Sequence, residues 1–339
     1  HRDLHSFPTR RSSDLSQQLA EDIIGSGTNY QVYVLVECRQ PWLSNAMDSK
    51  YIPENLRSLI DEVKQRKLPV RFLLIANNKT LKADQTKVLI YSHNGEARLK
   101  GYSKLEFDVT NLGEVAGIVK QFLAGETPNC VTQDSDTRDI LVCTHGSHDV
   151  CCARYGNPFY AKALATVAEL SLTNVRLWKA SHFGGHRFAP TAIDFPDGRY
   201  YGVLDQDSFK SILIRSGDLE CFNRVYRGWG ILPTKIQVLE RELILRYGWN
   251  WFKHKVGGSI IKEDANQDSI QAEISFEKPN GLIYHCRAEL IKDESKTLQL
   301  KGSCGAQKES VFVKYTIKNL CLYSELLEIL PVYQPQMAS

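Results

Sequence analysis

The sequence predicts an α/β protein with two successive β-α-β-β-β-α layers, followed by a small α+β domain that contains an antiparallel sheet. Short runs rich in Val, Ile, Leu and aromatic residues alternate with stretches in which apolar residues recur at helical spacing. This order of strands and helices occurs twice. Near the C-terminus, apolar and polar residues alternate strictly, as is typical of an antiparallel strand with one buried face.

The N-terminal segment requires separate treatment. Residues 5–15 read HSFPTRRSSDL, which is the translation of a widely used sequencing-library adapter. We therefore interpret residues 1–15 as an assembly artefact and exclude them from fold reasoning. Without them the formal net charge falls from +3 to +2, because three arginines and two aspartates are removed. This balance predicts no binding to nucleic acid or membrane, and no apolar run approaches the roughly 20 residues of a membrane span.

The first predicted domain covers residues 16–130. Its strand-like runs are 31–37, 70–76 and 87–92. A helix begins at Pro53, and its apolar face consists of Leu56, Leu59, Ile60 and Val63. A second helix is indicated by Val115, Ile118, Val119 and Phe122.

The second predicted domain, residues 136–216, repeats this order. Its strand-like runs are 139–143, 174–180, 191–195 and 199–204, and 207–215 predicts its closing helix. Asn157 and Pro158 are residue types that favour a helix N-cap and first position, so we expect a helix from there to about Leu170. Two such units are typical of thioredoxin-like layers in tandem and suggest an old duplication.

The third predicted domain, residues 217–333, has an α+β pattern. A helix over 234–247 ends at Gly248, and its apolar side is formed by Ile236, Leu239, Leu243 and Ile244. Alternation predicts strands at Tyr284, Cys286, Ala288 and Leu290, and again at Val311, Val313 and Tyr315. The domain shows no catalytic constellation.

Cysteines and histidines cluster in the second domain. The chain has nine cysteines, an odd number, and Cys130, Cys143, Cys151 and Cys152 fall within 23 positions. A secreted disulfide scaffold would be shorter and evenly paired, so we expect reduced thiols in the cytoplasm, some of them metal ligands. Cys143 ends a strand and Cys152 precedes the expected helix, whose N-terminal dipole favours thiolate.

A histidine pair follows the next strand. His182 and His186 flank two glycines in SHFGGHRFAPT, which favours a loop that approaches an ion or cluster closely. Because both preceding strands are expected to end at the same edge of the sheet, the cysteines and histidines can converge there. Four ligands held on strand ends suit zinc or a two-iron cluster. Paired carboxylates for acid–base work and a Ser-His-Asp arrangement are not evident, so no catalytic residue is predicted.

These residues resemble the sucrase/ferredoxin-like family of thioredoxin-like [2Fe–2S] ferredoxins. The resemblance rests on Cys-x8-Cys in CTHGSHDVCC and His-x3-His in SHFGGHRFAPT, with support from LVECRQPW, FPDGRYYG and YRGWGILP. It implies a [2Fe–2S] cluster with two cysteines on one iron and two histidines on the other. By this resemblance Cys143, Cys152, His182 and His186 are the cluster ligands, and the protein is an electron-transfer or redox-sensing protein rather than an enzyme with its own substrate.

Several assignments remain open at this stage. Cys151 adjoins the favoured Cys152 and could replace it, although a buried apolar role is expected for it. His145 and His148 form half of a Rieske pattern with Cys143, and we expect them to be loop or supporting groups. Cys38, Cys130, Cys221, Cys286, Cys304 and Cys321 are expected to be core or surface thiols, Cys304 being the least certain.

Charge and function also leave alternatives. Lys179, Arg187 and Arg154 would raise the potential of a nearby cluster and attract an acidic redox protein, here an unidentified partner. One alternative function is a thioredoxin-like thiol-disulfide oxidoreductase that uses Cys151 and Cys152, although the usual Cys-x-x-Cys spacing is missing. A structural zinc-binding module is the other, because Cys2His2 is also a zinc ligand set. The sequence does not indicate an oligomeric state.

Overall fold

The fold is described from a computed structural model, which covers residues 21–77, 85–128 and 136–324. The artefact predicted for residues 1–15 lies outside the described residues, as does Cys130. Among the described helices, none is both long enough and apolar enough to cross a bilayer.

Helices and strands follow the predicted order closely. The strands are β1 (Val32–Glu37), β2 (Val70–Ala76), β3 (Thr86–Ser92), β4 (Ser103–Val109), β5 (Arg138–Cys143), β6 (Val175–Ala180), β7 (Ala192–Phe195), β8 (Arg199–Tyr201), β9 (Tyr226–Trp229), β10 (Lys255–Glu263), β11 (Ser269–Glu277), β12 (Ile283–Lys292), β13 (Leu298–Leu300), β14 (Ser310–Phe312) and β15 (Tyr315–Ser324). The helices are α1 (Glu54–Gln65), α2 (Val115–Leu123), α3 (Val150–Glu169), α4 (Gln206–Ile214), α5 (Leu219–Val225) and α6 (Ile236–Tyr247). The order β-α-β-β-β-α therefore occurs twice, in β1 to α2 and in β5 to α4.

One mixed sheet joins the two repeats. Its strand order is β4-β3-β1-β2-β6-β5-β7-β8-β9, with β1 parallel to β2 and β5 parallel to β6. The halves meet where β2 pairs antiparallel with β6 through only two residue pairs, Ile75 with Ala180 and Ala76 with Lys179. The α/β class is confirmed, with a large mixed sheet and a separate small antiparallel sheet. The thioredoxin-like assignment and the domain boundaries remain predictions.

The sheet bends sharply at this junction. The ring of Tyr91 on β3 stacks on Phe195 of β7 with centroids 4.3 Å apart, and the hydroxyls of Tyr33 on β1 and Tyr200 on β8 are 2.6 Å apart. In a flat sheet β3 and β7 would be separated by about 24 Å, at roughly 4.8 Å per strand. The two halves therefore pack face to face, and their shared interior is the larger apolar core.

Helices α1 and α2 cover the other face of the first half. Their buried residues lie in a second apolar cluster with residues of β1, β2, β3 and β4. The predicted apolar face of α1 is confirmed, because Leu56, Leu59, Ile60 and Val63 are all buried. A buried ionic network ties the two halves together: Asp139 of β5 accepts hydrogen bonds from Tyr91 of β3, Lys104 of β4 and Arg176 of β6.

Helix α3 begins earlier than predicted. The expected start at Asn157 and Pro158 is wrong, because the helix begins at Val150 and Pro158 lies inside it. Asp149 is the N-cap, and its carboxylate accepts a 2.8 Å hydrogen bond from the backbone N–H of Cys151. Proline lacks an N–H and so leaves one helix carbonyl without its usual donor. The side-chain amide of Asn157 donates to the Ala153 carbonyl at 3.1 Å and supplies an extra hydrogen bond in this turn.

A glycine brings α3 against the end of β5. At Gly156 an added Cβ would lie 2.0 Å from the carbonyl oxygen of Cys143. The helix backbone at Gly156 and the strand carbonyl of Cys143 are both fixed by secondary structure, so neither can move aside without a cost in free energy. Only glycine permits this approach, which places the second turn of α3 against the last residue of β5.

The C-terminal part forms the small antiparallel sheet, in the order β10-β11-β12-β15, with α6 packed against it. The predicted alternation in β12 is confirmed for Cys286, Ala288 and Leu290, which are buried. The prediction of one strand with Val311, Val313 and Tyr315 on a buried face is wrong. This stretch is divided into β14 and β15, and these two valines are 59% and 40% exposed. Strand β14 pairs with β13 in a separate hairpin.

The close approach at Gly156 gives a stability prediction. We expect Gly156→Ala to lower the free energy of unfolding by about 1–3 kcal/mol, because overpacking outweighs the better helix propensity of alanine. The matched control is Gly117→Ala in α2, where a Cβ would meet nothing within 4 Å. That change should stabilise the protein by up to about 1 kcal/mol. Urea unfolding followed by circular dichroism measures both, and equal effects would contradict the packing argument.

Candidate metal centre

Two parallel strand ends bring the predicted ligands together. Cys143 is the last residue of β5, and its register partner is Ala180, the last residue of β6. His182 follows Ala180 by two residues. Because parallel strands end at the same edge of a sheet, the cysteine and histidine segments leave the sheet side by side, as the sequence predicted.

The first turn of α3 supplies the second thiol. Cys143 and Cys152 are each 1% exposed, and their sulfurs lie within 4.8 Å of each other. Burial raises the pKa of Cys143, but hydrogen bonds from Cys152 and from the backbone N–H groups of His145 and Phe183 outweigh it and lower this pKa. The hydrogen bond with Cys143 and burial raise the pKa of Cys152. Of the two cysteines, Cys143 is therefore the one at which the thiolate is favoured.

His182 lies between the thiols and the second histidine. Its Nδ1 is 3.6 Å from the Cys152 sulfur and 3.9 Å from the Cys143 sulfur. Burial, together with the nearby His148, lowers the pKa of His182 to about 2, so the ring is neutral at physiological pH. A neutral imidazole is the form that binds metal.

The backbone around His182 is held from three sides. The Arg71 guanidinium donates to the His182 carbonyl at 3.0 Å, and the His182 N–H donates to Nδ1 of His145 at 3.2 Å. Ser181 bonds to β2 twice: its N–H donates to the Leu74 carbonyl at 2.8 Å, and its hydroxyl accepts from the Leu74 N–H at 2.9 Å. His182 therefore lies at the junction between the two halves of the sheet.

His186 begins a short 3-10 turn. Its Nδ1 is 3.4 Å from Nε2 of His182, and its Nε2 forms a short hydrogen bond with the carbonyl of Gly302 in the loop between β13 and β14. Burial lowers the pKa of His186. If Nε2 donates to this carbonyl, Nδ1 is left as an acceptor facing the site, which is the usual orientation of a metal-binding histidine.

A buried arginine shapes the loop between the histidines. Arg227 on β9 is 1% exposed and donates to the Gly184 carbonyl at 3.1 Å and to the Ser26 carbonyl at 2.7 Å. Gly185 has φ +77°, and a Cβ there would lie 2.5 Å from the arginine. Burial lowers the pKa of Arg227 to about 10, which leaves it charged at neutral pH.

His145 and His148 lie beside the proposed ligands. They belong to the loop between β5 and α3, where sequence reasoning expected supporting groups. The ring of His148 stacks on His182 with centroids 4.0 Å apart and is exposed to solvent. His148 and His182 also line a cavity of about 540 Å³ that contains Lys64 and Lys67.

Cys151 points away from Cys152. Its sulfur is 2.9 Å from the sulfur of Cys304, whereas Cys152 faces Cys143. Both neighbours lie on α3, which begins before its predicted start, so their side chains diverge by about 100° around the helix axis. Of the remaining cysteines, Cys38 and Cys286 are buried, Cys221 is partly exposed, and Cys304 and Cys321 are exposed.

The side chains form two adjoining groups that could hold metal. Cys143, Cys152 and His182 offer donor atoms that all lie within 4.8 Å of one another, and His148, His182 and His186 form a second such group. His182 belongs to both. Its Nδ1 faces the two sulfurs and its Nε2 faces His186, so the ring joins a group with two sulfur donors to a group of histidine nitrogens that includes His148.

Several residues at the site were missed from sequence. Four side chains or carbonyls that position the proposed ligands or their loops come from distant parts of the chain. They belong to Arg71, Asp149, Arg227 and Gly302, and each makes a contact with a residue far away in sequence. The one available signal was Arg227, a charged residue inside the apolar run VYRGWGILP, which needs a partner when buried. Of the cations predicted to act on the site, Arg187 is paired with Glu21 at 2.8 Å, while Lys179 and Arg154 lie over tyrosine rings.

Comparison with known proteins gives one match. A family model described as sucrase/ferredoxin-like matches residues 23–228, which include all four predicted ligands. This confirms the family resemblance found in the sequence. No curated protein matches the chain, and no solved structure matches it.

Arg227 gives a prediction for the site. We expect Arg227→Met to lower the thermal unfolding midpoint by several degrees, because the partly buried carbonyls of Gly184 and Ser26 each lose a donor at about 1–3 kcal/mol. The control is Arg66→Met, which removes an exposed pair with Glu62 and should change stability by less than about 1 kcal/mol. Differential scanning calorimetry compares the two, and equal midpoints would contradict the role assigned to Arg227.

Proposed function

Because the chain belongs to the sucrase/ferredoxin-like family, we propose that it binds a [2Fe–2S] cluster and acts as an electron-transfer or redox-sensing protein. The single observation that carries the proposal is the pairing of like donors at one place. The sulfurs of Cys143 and Cys152 lie within 4.8 Å of each other, and Nε2 of His182 is 3.4 Å from Nδ1 of His186. A cluster with two cysteines on one iron and two histidines on the other needs this distribution.

The donor chemistry fits such a cluster. In this proposal Cys143 and Cys152 hold one iron, and His182 and His186 hold the other. The lowered pKa of Cys143 favours the thiolate that iron binds, and the lowered pKa values of both histidines keep them neutral. The short hydrogen bond between His186 and Gly302 supplies the outer contact that orients such a ring.

When bound, such a cluster supplies reversible one-electron chemistry at a potential above that of an all-cysteine ferredoxin. The chain contributes the charge balance: two imidazoles are neutral where two thiolates would be negative. Arg227, buried and charged close to the site, adds a positive charge that favours electron uptake. Burial of Cys143 and Cys152 excludes water from the thiolate side.

We expect electrons to pass on the histidine side. His148 is exposed and its ring stacks on His182, so it connects a donor to solvent. Lys64, Lys67 and Arg71 line the adjoining cavity. An unidentified redox protein with an acidic surface would be attracted there. The cytoplasmic location expected from the thiol content stays a prediction.

A structural zinc site is the second candidate. The observation in its favour is the three-donor group of Cys143, Cys152 and His182, with sulfur–nitrogen distances of 3.6 and 3.9 Å. Zn–S and Zn–N bonds of about 2.3 and 2.0 Å give tetrahedral edges of roughly 3.5 Å, close to these distances. His186 or His148 would complete the set.

Metal content after ligand substitution tests the proposal. We expect anaerobically purified protein to contain two irons and two acid-labile sulfides per chain. Cys143→Ala and Cys152→Ala should lose most of both, because each removes a thiolate. His182→Ala and His186→Ala should bleach the protein or change its absorption and electron paramagnetic resonance spectra.

Two matched controls accompany this experiment. Cys321→Ser changes an exposed cysteine far from the site in sequence and should leave iron and spectra unchanged. His148→Ala should retain the cluster; if it loses iron while His186→Ala does not, His148 is the fourth ligand. One zinc per chain with no iron or sulfide would contradict the cluster and select the zinc site.

The charge argument makes its own prediction. We expect His186→Cys to lower the midpoint potential by about 100 mV or more, because a thiolate replaces a neutral imidazole. A redox titration followed by visible absorption measures the shift, with the exposed Cys321→Ser variant as the control of unchanged potential. An unaltered midpoint in a variant that still carries the cluster would exclude His186 as a ligand.

A further inference from the structure

A loop from the C-terminal part covers the histidine side of the site. Residues 301–309 connect β13 to β14, and the Gly302 carbonyl contacts His186. The loop is also anchored beside its hairpin, where the Arg187 guanidinium lies 3.5 Å from the centroid of the Phe312 ring. The hairpin thus packs on the metal centre rather than on the small sheet alone.

The same loop meets the N-terminus of α3 through one carboxylate. Asp149 accepts a 2.8 Å hydrogen bond from the Cys151 N–H with one oxygen and a 3.1 Å hydrogen bond from the Cys304 N–H with the other. Asp149 therefore holds the backbone of Cys151 in fixed relation to that of Cys304, although these two cysteines are 153 residues apart in the chain. Their side chains point at each other.

The two sulfurs are almost within bonding distance. Cys151 Sγ and Cys304 Sγ are 2.9 Å apart, so they need to approach by only about 0.9 Å to reach a disulfide bond. Exposure divides their roles: Cys304 is exposed, whereas Cys151 is 0% exposed. A reagent from solvent can reach Cys304 but not Cys151.

From this geometry we propose that Cys151 and Cys304 are a redox-active thiol pair whose disulfide fixes the 301–309 loop over His186, with a low-molecular-weight disulfide as the oxidant. The inference is independent of the metal that the neighbouring site binds. It assigns to Cys151 a role beyond that of a buried apolar side chain.

The reaction proceeds in two exchange steps. The Cys304 thiolate attacks one sulfur of the small disulfide, forms a mixed disulfide and releases one small thiolate. The Cys151 thiolate then attacks the Cys304 sulfur, forms the Cys151–Cys304 bond and releases the second small thiolate. The two protons lost by the protein thiols go to the two released thiolates. The protein pair is oxidised by two electrons, and the small disulfide is reduced to two thiols.

Formation of the bond changes the mobility of the loop. In the reduced state, hydrogen bonds from His186 and to Asp149 hold the loop, and such contacts open and close readily at a surface. In the oxidised state a covalent bond joins the loop to α3. Access of solvent and partners to His186 then depends on the thiol status of the surroundings.

Mass spectrometry of the whole chain tests the pair. The protein is incubated with oxidised glutathione, alkylated under non-reducing conditions, digested and sequenced. We expect a peptide linked through Cys304, and fragmentation should place the other end at Cys151 rather than at Cys143 or Cys152. Cys151→Ser should stop at a Cys304–glutathione adduct, Cys304→Ser should form neither product, and Cys321→Ser should behave like the parent protein.

Hydrogen exchange supplies a readout that does not depend on cysteine assignment. We expect the amides of residues 302–306 to exchange about tenfold more slowly in the oxidised protein, and dithiothreitol to reverse the change. A Cys143–Cys152 bridge in place of the expected one would overturn the proposal. So would equal Cys304–glutathione adduct in the parent and in Cys151→Ser. A third outcome would also overturn it: both thiols resist alkylation, and a chelator restores their reactivity while a reductant does not. That result would show a metal ion bound by Cys151, Cys304 and Asp149.

Discussion

The parallel pairing of β5 with β6 is the interaction on which the candidate metal centre depends. It sets Cys143 level with Ala180, so that the thiol and the histidine segment leave the sheet together. Gly156 completes the arrangement by letting α3 pack directly on the Cys143 carbonyl, which returns the chain with Cys152 facing Cys143. Two backbone contacts, one along a sheet edge and one between helix and strand, thus position three donors that come from separate segments.

The two halves of the large sheet have mirrored strand orders about their junction. The first reads β4-β3-β1-β2 and the second β6-β5-β7-β8, so each strand has a counterpart in the other half. The loop after β1 supports the loop that follows its counterpart β5: the carbonyls of Trp42, Leu43 and Ser44 bond to Ser147, His145 and His148. One half therefore provides the donors and the other provides part of their support.

The features that depend on nearby residues in the chain could be predicted from the sequence. Strand ends at Cys143 and Ala180, the α1 face and the Gly-Gly loop followed from periodicity and residue type. The start of α3 did not, because Asp149 as N-cap competed with Asn157 and Pro158, and tertiary packing at Gly156 favoured the longer helix. The contacts of Arg227 and Cys304 join residues that are far apart in the chain, and no local pattern encodes such pairs.

The hairpin of β13 and β14 has a consequence for how the family segment is understood. The family model matches residues 23–228, yet the Gly302 carbonyl that bonds to His186 comes from well beyond this stretch. The proposed ligands therefore lie within the matched stretch, whereas the loop that covers His186 comes from the C-terminal part of the chain. Divergence in the later part can retune how the centre meets its surroundings while every donor atom stays unchanged.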